Sequence, residues 1–391
     1  MNTDSKAAAT AAPAPFSEAE LAARRERVRA SLAARRLDAA IVTTPENLCY
    51  LTGYDTPGYY QPQALFLPVD GDPFMFCYVS DADLAQDGSG VAEVVPYGPN
   101  DAPMAALAAA VRSRGRAKGT LGVELRSPFL PVALYEQLRS GLDDARLRDT
   151  SGAVEERRAV KSPAEIAHVR AAAAIASAAM EAVGQAVADG ATENELAATA
   201  YDAALRRGGE YPGSPPYISS GPNVTHPHAS WTTRRIEPGD QVHVELAGCL
   251  RRYGGALMRE FLYADTLSGE LARLEAAIVA GLEAAIAALR PGARSGDVDD
   301  ACRGALASEG FRYEHETGYS IGIAYPPGWN ETHVFNLKPG DERTLEAGMT
   351  FHLVPHVVLP GVGGVGLSET VLVTEDGCEV LTASPRRVLP V

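Results

Sequence analysis

Hydrophobic and polar positions follow two different patterns along the chain, and the change between them predicts its organisation. Phe16-Ser17-Glu18-Ala19-Glu20 predicts a helix start, because Ser17 and Glu20 have the spacing of a capping box. This helix runs to about Arg36. Short apolar runs then alternate with helical segments up to about residue 150, which is typical of an α/β domain. The predicted strands are 38–44, 64–67, 73–79 and 120–123, and the next predicted helices are 103–112 and 131–140.

The second half of the chain repeats a longer unit. Ser162-Pro163-Ala164-Glu165 predicts the start of a long Ala-rich helix that ends near Val187. Two helix pairs about a hundred residues apart are each followed by a β-rich region, at 241–263 and at 349–374. This repeat predicts a pseudo-symmetric α+β domain whose site lies where the half-sheets meet, unless two amphipathic helix pairs resemble each other by chance. We therefore divide the chain into a disordered Ala/Pro tail (1–15), an α/β domain (16–155) and an α+β domain (156–391).

Composition narrows the class of protein. Of 391 residues, 46% are hydrophobic and 22% charged, with a net charge of −15. These values predict a soluble globular protein and exclude a disordered or collagen-like chain. The negative charge argues against nucleic acid and anionic membranes as partners. The sequence contains neither a long uncharged apolar run nor a signal-peptide core, and its five cysteines show no C-x-x-C spacing, so we expect a cytoplasmic protein with free thiols.

Polar side chains interrupt several of the predicted strands, where apolar residues are expected. A strand carboxylate that faces a core needs a partner, and a loop histidine before a core strand suits general acid–base chemistry. For the strand histidines, a structural role in the core is the competing interpretation. The candidates are His226 and His228 in loop 219–228, His243 and Glu245 in 241–248, His352 and His356 in 350–358, and Glu369 in 365–374.

Several of these segments also resemble motifs of one enzyme family. Because of them the chain is identified as a member of the creatinase/aminopeptidase P/prolidase family, which implies a creatinase-type N-terminal domain (16–155) and a "pita-bread" catalytic domain (156–391). The motifs are Pro45-Glu-Asn-Leu-Cys-Tyr-Leu-Thr-Gly-Tyr54, Lys161-Ser-Pro-Ala-Glu-Ile166, Ser220-Gly-Pro-Asn223 with His228-Ala229, Pro238-Gly-Asp-Gln-Val-His-Val-Glu245, and 360–377.

The resemblance also implies where a metal would bind. Peptidases of this family hold two divalent metals on Asp, Asp, His, Glu and Glu. Hard metals need several oxygen or imidazole ligands, and these positions are largely lost here, so no metal and no other cofactor is predicted. The five positions carry Glu245, Ala256, Tyr319, Val354 and Glu369.

The fold also hosts metal-free hydrolases, and among them the ectoine hydrolases resemble this chain more closely than creatinase does. The similar segments are 318–331, Val244-Glu-Leu-Ala-Gly-Cys249, Ala256-Leu-Met-Arg259 and Thr350-Phe-His352. This resemblance implies hydrolysis of a cyclic amidine, with Glu245 as nucleophile or amidinium clamp, His228 as acid or base, Glu369 as a second carboxylate and Tyr319 as hydrogen-bond donor. Substrate contacts are expected from Tyr54, Tyr60, Trp329, Glu331 and His352. Creatine is a poorer candidate, because Met258 replaces a family glutamate and the carboxylate-binding arginine falls near Asn330. The family implies a homodimer in which the N-terminal domain reaches the partner's active site.

Two other functions remain open at this point. One is an Xaa-Pro peptidase with a rearranged metal set of His228, Glu245, His352, His356 and Glu369. The other is a non-catalytic module that binds peptides or histones on the same fold. A non-catalytic binding module has no need of buried charged groups at this site. The presence of His228, Glu245 and Glu369 therefore argues against it.

Overall fold

The chain divides into two compact units between Ala153 and Val154. The computed structural model describes residues 15–267 and 269–391. Apart from Pro15, the predicted disordered tail therefore lies outside the described residues.

The N-terminal unit is an α/β sandwich built on a six-stranded sheet of order β4-β3-β2-β1-β5-β6. Strand β1 pairs antiparallel with β2 and parallel with β5. The strands are β1 (Ala39–Val42), β2 (Ala64–Pro68), β3 (Phe74–Tyr78), β4 (Glu93–Tyr97), β5 (Gly119–Val123) and β6 (Ala145–Asp149). The helices are α1 (Glu18–Ala34), α2 (Pro45–Thr52), α3 (Ala82–Gly88), α4 (Pro103–Ser113) and α5 (Val132–Gly141).

Local signals explain where two of these helices begin. Helix α1 begins after Ser17, whose side chain accepts the Glu20 backbone N–H, which is one half of the predicted capping box, while the Glu20 carboxylate accepts from Arg24. Helix α2 covers the segment in which only a Pro-Glu-Asn connection was expected. It begins after Thr44, and the buried carboxylate of Glu124 accepts the N–H groups of Thr43 and Thr44 at 2.7 and 2.8 Å. A distant acid thus fixes the two residues that precede the helix, where Thr44 makes no side-chain cap.

The C-terminal unit (Val154–Val391) contains the repeat predicted from the sequence: α7 and α8 precede one set of strands, and α9 and α10 precede another. The helices are α6 (Glu155–Arg158), α7 (Pro163–Ala188), α8 (Glu193–Arg206), α9 (Gly269–Ala288) and α10 (Ser295–Ser308). The strands are β7 (Tyr217–Ser220), β8 (Gln241–Leu250), β9 (Tyr253–Leu262), β10 (Gly318–Ser320), β11 (Asn336–Leu337), β12 (Thr350–Leu353), β13 (His356–Leu359), β14 (Gly363–Gly366), β15 (Glu369–Val373), β16 (Cys378–Val380) and β17 (Leu389–Pro390).

Two half-sheets and a hairpin make up the centre of this unit. Their orders are β17-β9-β8-β7 and β11-β10-β12-β15-β16, and β13 pairs with β14. Side-chain hydroxyls connect the half-sheets: Ser368 accepts the Met258 N–H at 2.6 Å, and Thr370 accepts the Ala256 N–H at 2.9 Å. The meeting line of the half-sheets therefore lies along β9 and the start of β15.

The two faces of the β8–β9 hairpin have opposite characters. Val242, Val244 and Leu246 pack with the apolar residues of α7 and α8. By the strand period of two, His243 and Glu245 point to the other face, opposite Glu260 and Met258 in the register.

Helix α7 lies directly against this hairpin. Gly255 lets its backbone approach, since a Cβ there would meet the backbone of Ala173. By length and apolar composition α7 alone among the described helices would suffice to cross a membrane, but half of that apolar stretch is buried inside the unit. Helix α7 is therefore a core helix of this unit.

Candidate active site

A pocket of about 710 Å³ opens where the two half-sheets meet. One wall comes from β7, β8 and β9, and the other from β10, β13 and the loops beside them. Its lining residues are Tyr217, Pro227, His228, Glu245, Met258, Arg312, Glu314, His315, Glu316, Tyr319, Gly328, Trp329, Asn330, Thr332, Val354 and 356–358.

Glu245 is the buried carboxylate of this pocket. Its residue is 7% exposed, and no hydrogen bond to its side chain comes from the described residues. The nearest imidazole nitrogen, Nδ1 of His352, lies 4.0 Å from its Oε1. Burial raises the pKa of Glu245 to about 7, because removal from water disfavours the charged form. Near neutral pH, both protonation states of this carboxyl group are therefore accessible.

A buried hydrogen-bonded chain lies beside Glu245. Trp329 Nε1 donates to Tyr319 Oη at 3.2 Å, and that oxygen lies 3.0 Å from His352 Nδ1. On the other side of the ring, His352 Nε2 lies 2.7 Å from Ser368 Oγ. Burial lowers the pKa of His352 to about 3, with Arg259 as a further cause, so the imidazole is neutral. A neutral ring has one donor and one acceptor nitrogen, and the chain can therefore orient the Tyr319 hydroxyl.

The mouth of the pocket carries more polar groups. His228 is exposed in its loop, and its ring centroid lies 5.1 Å from that of Tyr217. Arg312 pairs with Glu314 at 2.8 Å. Burial raises the pKa of the neighbouring Glu316. The lining thus brings together His228, Glu245, Tyr319 and Trp329 from the predicted site residues.

Glu369 and Glu331 are not brought to the pocket lining. Glu369 is buried and paired with Arg259 at 2.7 Å and Arg386 at 3.0 Å. Glu331 is buried between Arg158 and Lys161, and these two cations lower its pKa to about 2 against the effect of burial. Both carboxylates are paired with cations inside the unit, as is typical of structural ion pairs.

The two predicted tyrosine contacts belong to the N-terminal unit. Tyr54 is 2% exposed and Tyr60 is 73% exposed. Burial is the main cause that raises the pKa of Tyr54, so its hydroxyl is protonated.

The residues present do not fit the metal pair of the peptidases. Ala256, Tyr319 and Val354, at three of the five ligand positions, belong to an apolar cluster with Met258, Ile321, Ala324 and Trp329. Alanine and valine offer no ligand atom, so the site lacks the oxygen and imidazole donors that two metals require. The predicted rearranged set is not gathered around one point either. Among the described residues, the side chains whose possible ligand atoms lie close enough to share one ion are those of His243, Glu260 and His356.

Sequence reasoning named His243 and His356 but missed Glu260. The sequence signal is a charged residue inside the predicted β-rich segment 241–263, and the structure shows that every position of its strand is buried. It also missed the segment 312–316, which lines the pocket from a loop without any periodic pattern. Loop residues carry no register from which their direction could be derived.

Comparisons with known proteins agree with this architecture. Residues 24–160 match the creatinase/prolidase N-terminal domain, and residues 167–375 match metallopeptidase family M24. An ectoine hydrolase of Halomonas elongata is 31% identical over 96% of this chain and 98% of its own length. The crystal structure of a dipeptidase PepE from Mycobacterium ulcerans is 26% identical, with a TM-score of 0.79 over 96% of this chain and all of that one. A prolidase from Thermococcus sibiricus has a TM-score of 0.84 at 23% identity, over 94% of this chain and 98% of its own. The predicted creatinase-type and pita-bread fold is thereby confirmed.

Proposed function

The chain belongs to metallopeptidase family M24, and from this premise we propose that it is a hydrolase that opens a cyclic amidine such as ectoine without the metal pair of the peptidases. The observation that carries the proposal is the state of Glu245. It is a buried carboxylate on the pocket wall with no hydrogen bond from the described residues, beside metal positions that now carry alanine and valine.

Such a carboxylate suits a cationic, planar substrate. An amidinium presents N–H groups that a carboxylate binds by charge-assisted hydrogen bonds. Removal from water strengthens this attraction. Glu314 and Glu316 add two carboxyl groups to the lining, whereas Arg312 is its arginine. Acidic groups thus outnumber guanidinium groups there. The balance of charge around the pocket therefore favours a substrate with positive charge.

The reaction adds one water across a C–N bond of the amidine. The oxygen stays on the carbon as an amide carbonyl, one nitrogen leaves as an amine, and the two protons of the water end on the two nitrogens. In the covalent version a Glu245 oxygen attacks the amidine carbon, one C–N bond breaks and its nitrogen leaves as the protonated amine. Water then attacks the same carbon, the bond to the Glu245 oxygen breaks, and the amide and the free carboxylate are released. In the other version Glu245 clamps the amidinium while water attacks.

Three further residues have roles in either version. His228 activates the water or protonates the departing nitrogen, a task that suits an imidazole at neutral pH. The Tyr319 hydroxyl donates a hydrogen bond to the charge that develops on the substrate. Trp329 and His352 hold that hydroxyl in place. Glu369 acts at a distance, through its ion pair with Arg259, which also donates to the Ser368 carbonyl.

A dipeptidase is the second candidate, because the PepE dipeptidase is 26% identical to this chain. Amide hydrolysis at neutral pH needs strong activation of water, which the peptidases of this fold obtain from two metals. The apolar cluster around Ala256 and Val354 is unsuited to that role.

We also propose a cytoplasmic homodimer, and the expectation that the N-terminal domain serves the partner's site remains part of this proposal.

The test is to incubate the full-length protein, with a chelator, with ectoine, creatine and an Ala-Pro dipeptide, and to follow all three by proton NMR. We expect loss of ectoine alone, with formation of an N-acetyl-diaminobutyrate. Cleavage of Ala-Pro that stops on chelation would instead establish a metal-dependent peptidase. No loss of any substrate would contradict the proposal and favour a binding module.

A further inference from the structure

Three ligand-bearing side chains that the proposed reaction does not use meet beside the pocket. His243 on β8 faces Glu260 on β9 in the register of the hairpin. His356 on β13 stacks on His243, with ring centroids 5.3 Å apart and an interplanar angle of 22°. One ligand atom from each of the three lies within 4.8 Å of those of the other two.

The hydrogen bonds of this cluster are incomplete. His243 Nδ1 lies 2.7 Å from Glu260 Oε1, which also accepts the Gly366 N–H at 3.2 Å. Three atoms of the cluster are buried and have no hydrogen-bond partner among the described residues: His243 Nε2, Glu260 Oε2 and His356 Nε2. Buried polar atoms are rarely left unpaired, and three in one cluster need a common explanation.

The chain makes room for this cluster with glycine. A Cβ on Gly366 would lie 2.8 Å from His356 Cδ2, and one on Gly364 would lie 3.3 Å from His356 Nε2. The imidazole of His356 thus occupies space that a side chain on β14 would fill. It also lines the pocket, so the cluster forms part of the pocket wall.

We propose that His243, Glu260 and His356 together bind one divalent transition-metal ion, with Zn²⁺ as the best match. Two imidazoles and a carboxylate form a zinc ligand set, whereas Mg²⁺ and Ca²⁺ prefer all-oxygen sites.

This centre differs from the metal pair of the peptidases. None of its three residues is at one of the five family ligand positions. His243 precedes Glu245 by one strand period on β8, Glu260 follows Ala256 by two periods on β9, and His356 follows Val354. The inference goes beyond the proposed function, since it assigns an ion to a site that no step of the proposed hydrolysis uses.

The test is metal binding by the full-length protein. Protein stripped with a chelator and dialysed is titrated with Co²⁺, whose visible absorption reports its ligands, and then with Zn²⁺ as competitor. We expect one Co²⁺ per chain, displaced by one Zn²⁺, and a higher Tm with metal bound. Glu260→Gln and His356→Ala should each weaken Co²⁺ binding at least about 100-fold, since loss of even an outer-shell partner costs 10–100-fold.

His315→Ala is the matched control, because it removes another imidazole of the pocket that contributes no atom to the cluster. This variant should bind Co²⁺ like the wild type. Circular dichroism and thermal melts establish that each variant is folded. His356 is only partly buried, so its variant serves if Glu260→Gln does not fold. Absence of stoichiometric Co²⁺ binding, or unchanged affinity in folded variants of the cluster, would overturn the inference. Metal content is measured independently of turnover, so either proposal can fail alone.

Discussion

Glu245 and Glu331 are both buried glutamates of the C-terminal unit, yet their surroundings shift their pKa values in opposite directions. Burial raises the pKa of Glu245 to about 7, and the nearest imidazole, that of His352 at 4.0 Å, is neutral and does not offset it. Lys161 and Arg158 overcome the same burial at Glu331 and lower its pKa to about 2. Burial therefore does not decide what a carboxylate does. Its partners decide whether it serves the fold or remains available to a ligand.

The largest expected effect is on turnover when Glu245 is replaced. Glu245→Gln keeps the shape of the side chain but removes its acid–base and nucleophilic capacity. We expect ectoine turnover to fall at least about 1,000-fold, within the range of general acid–base contributions. The free energy of unfolding should change little, because this carboxylate accepts no hydrogen bond from the described residues. Urea unfolding and NMR assays measure both quantities, with Glu375→Gln on the surface as control. Turnover like that of the wild type would remove Glu245 from the mechanism.

The opposite result is expected at Glu331. Glu331→Gln removes the buried carboxylate that pairs with both Arg158 and Lys161, and breaking such a buried ion pair costs about 3–5 kcal/mol of unfolding free energy. Urea unfolding measures the loss. Arg170→Gln provides a matched control, since its pair with Glu379 is exposed and should contribute at most about 1 kcal/mol. Equal losses of unfolding free energy in Glu331→Gln and Arg170→Gln would contradict this prediction.

Low pH should weaken the stabilisation that the ion pairs of Glu331 give to the folded protein. The pKa of Glu331 is lowered in the folded protein, so its stabilisation is present above its ordinary value of 4.5 and is lost as the pH falls towards about 2. This difference corresponds to about 3 kcal/mol. Wild type should therefore lose more unfolding free energy than Glu331→Gln between about pH 6 and about pH 3. Parallel losses in the two proteins would show that the stabilisation lies elsewhere.

The smallest effect is expected at the hydroxyl that assists Glu245. Tyr319→Phe keeps the ring in the apolar cluster but removes the oxygen bonded to Trp329 and His352. We expect turnover to fall about 100-fold, comparable to the loss of one oxyanion donor. Tyr217→Phe removes the hydroxyl of another lining tyrosine and should have a weaker effect. A change in KM alone would show that Tyr319 binds the substrate without assisting the reaction.

The sequence predicted the elements that depend on local pattern. The capping box at Ser162 and Glu165 marks the start of α7 as observed, and the alternation in β8 places Glu245 on the face away from the helices. Both signals lie within a few residues, so one segment suffices to interpret them.

Long-range partners could not be predicted in the same way. Glu331 forms its ion pair with Arg158, 173 residues away, and Glu369 pairs with Arg259, 110 residues away. Helix α2 depends on Glu124, about 80 residues further along the chain. A single sequence contains no information about which distant charges meet, and a buried carboxylate with a partner resembles one without.

The apolar cluster at the positions of the family's metal ligands also has a consequence for redesign of the pocket. Placing Asp at position 256 alone would put a carboxylate among Ile321, Val354 and Trp329. A buried charge without partners is strongly destabilising. Several ligands would therefore have to be introduced together before an ion could compensate their charges. An engineer can change the substrate of this pocket one residue at a time, whereas a two-metal site needs a concerted set of substitutions.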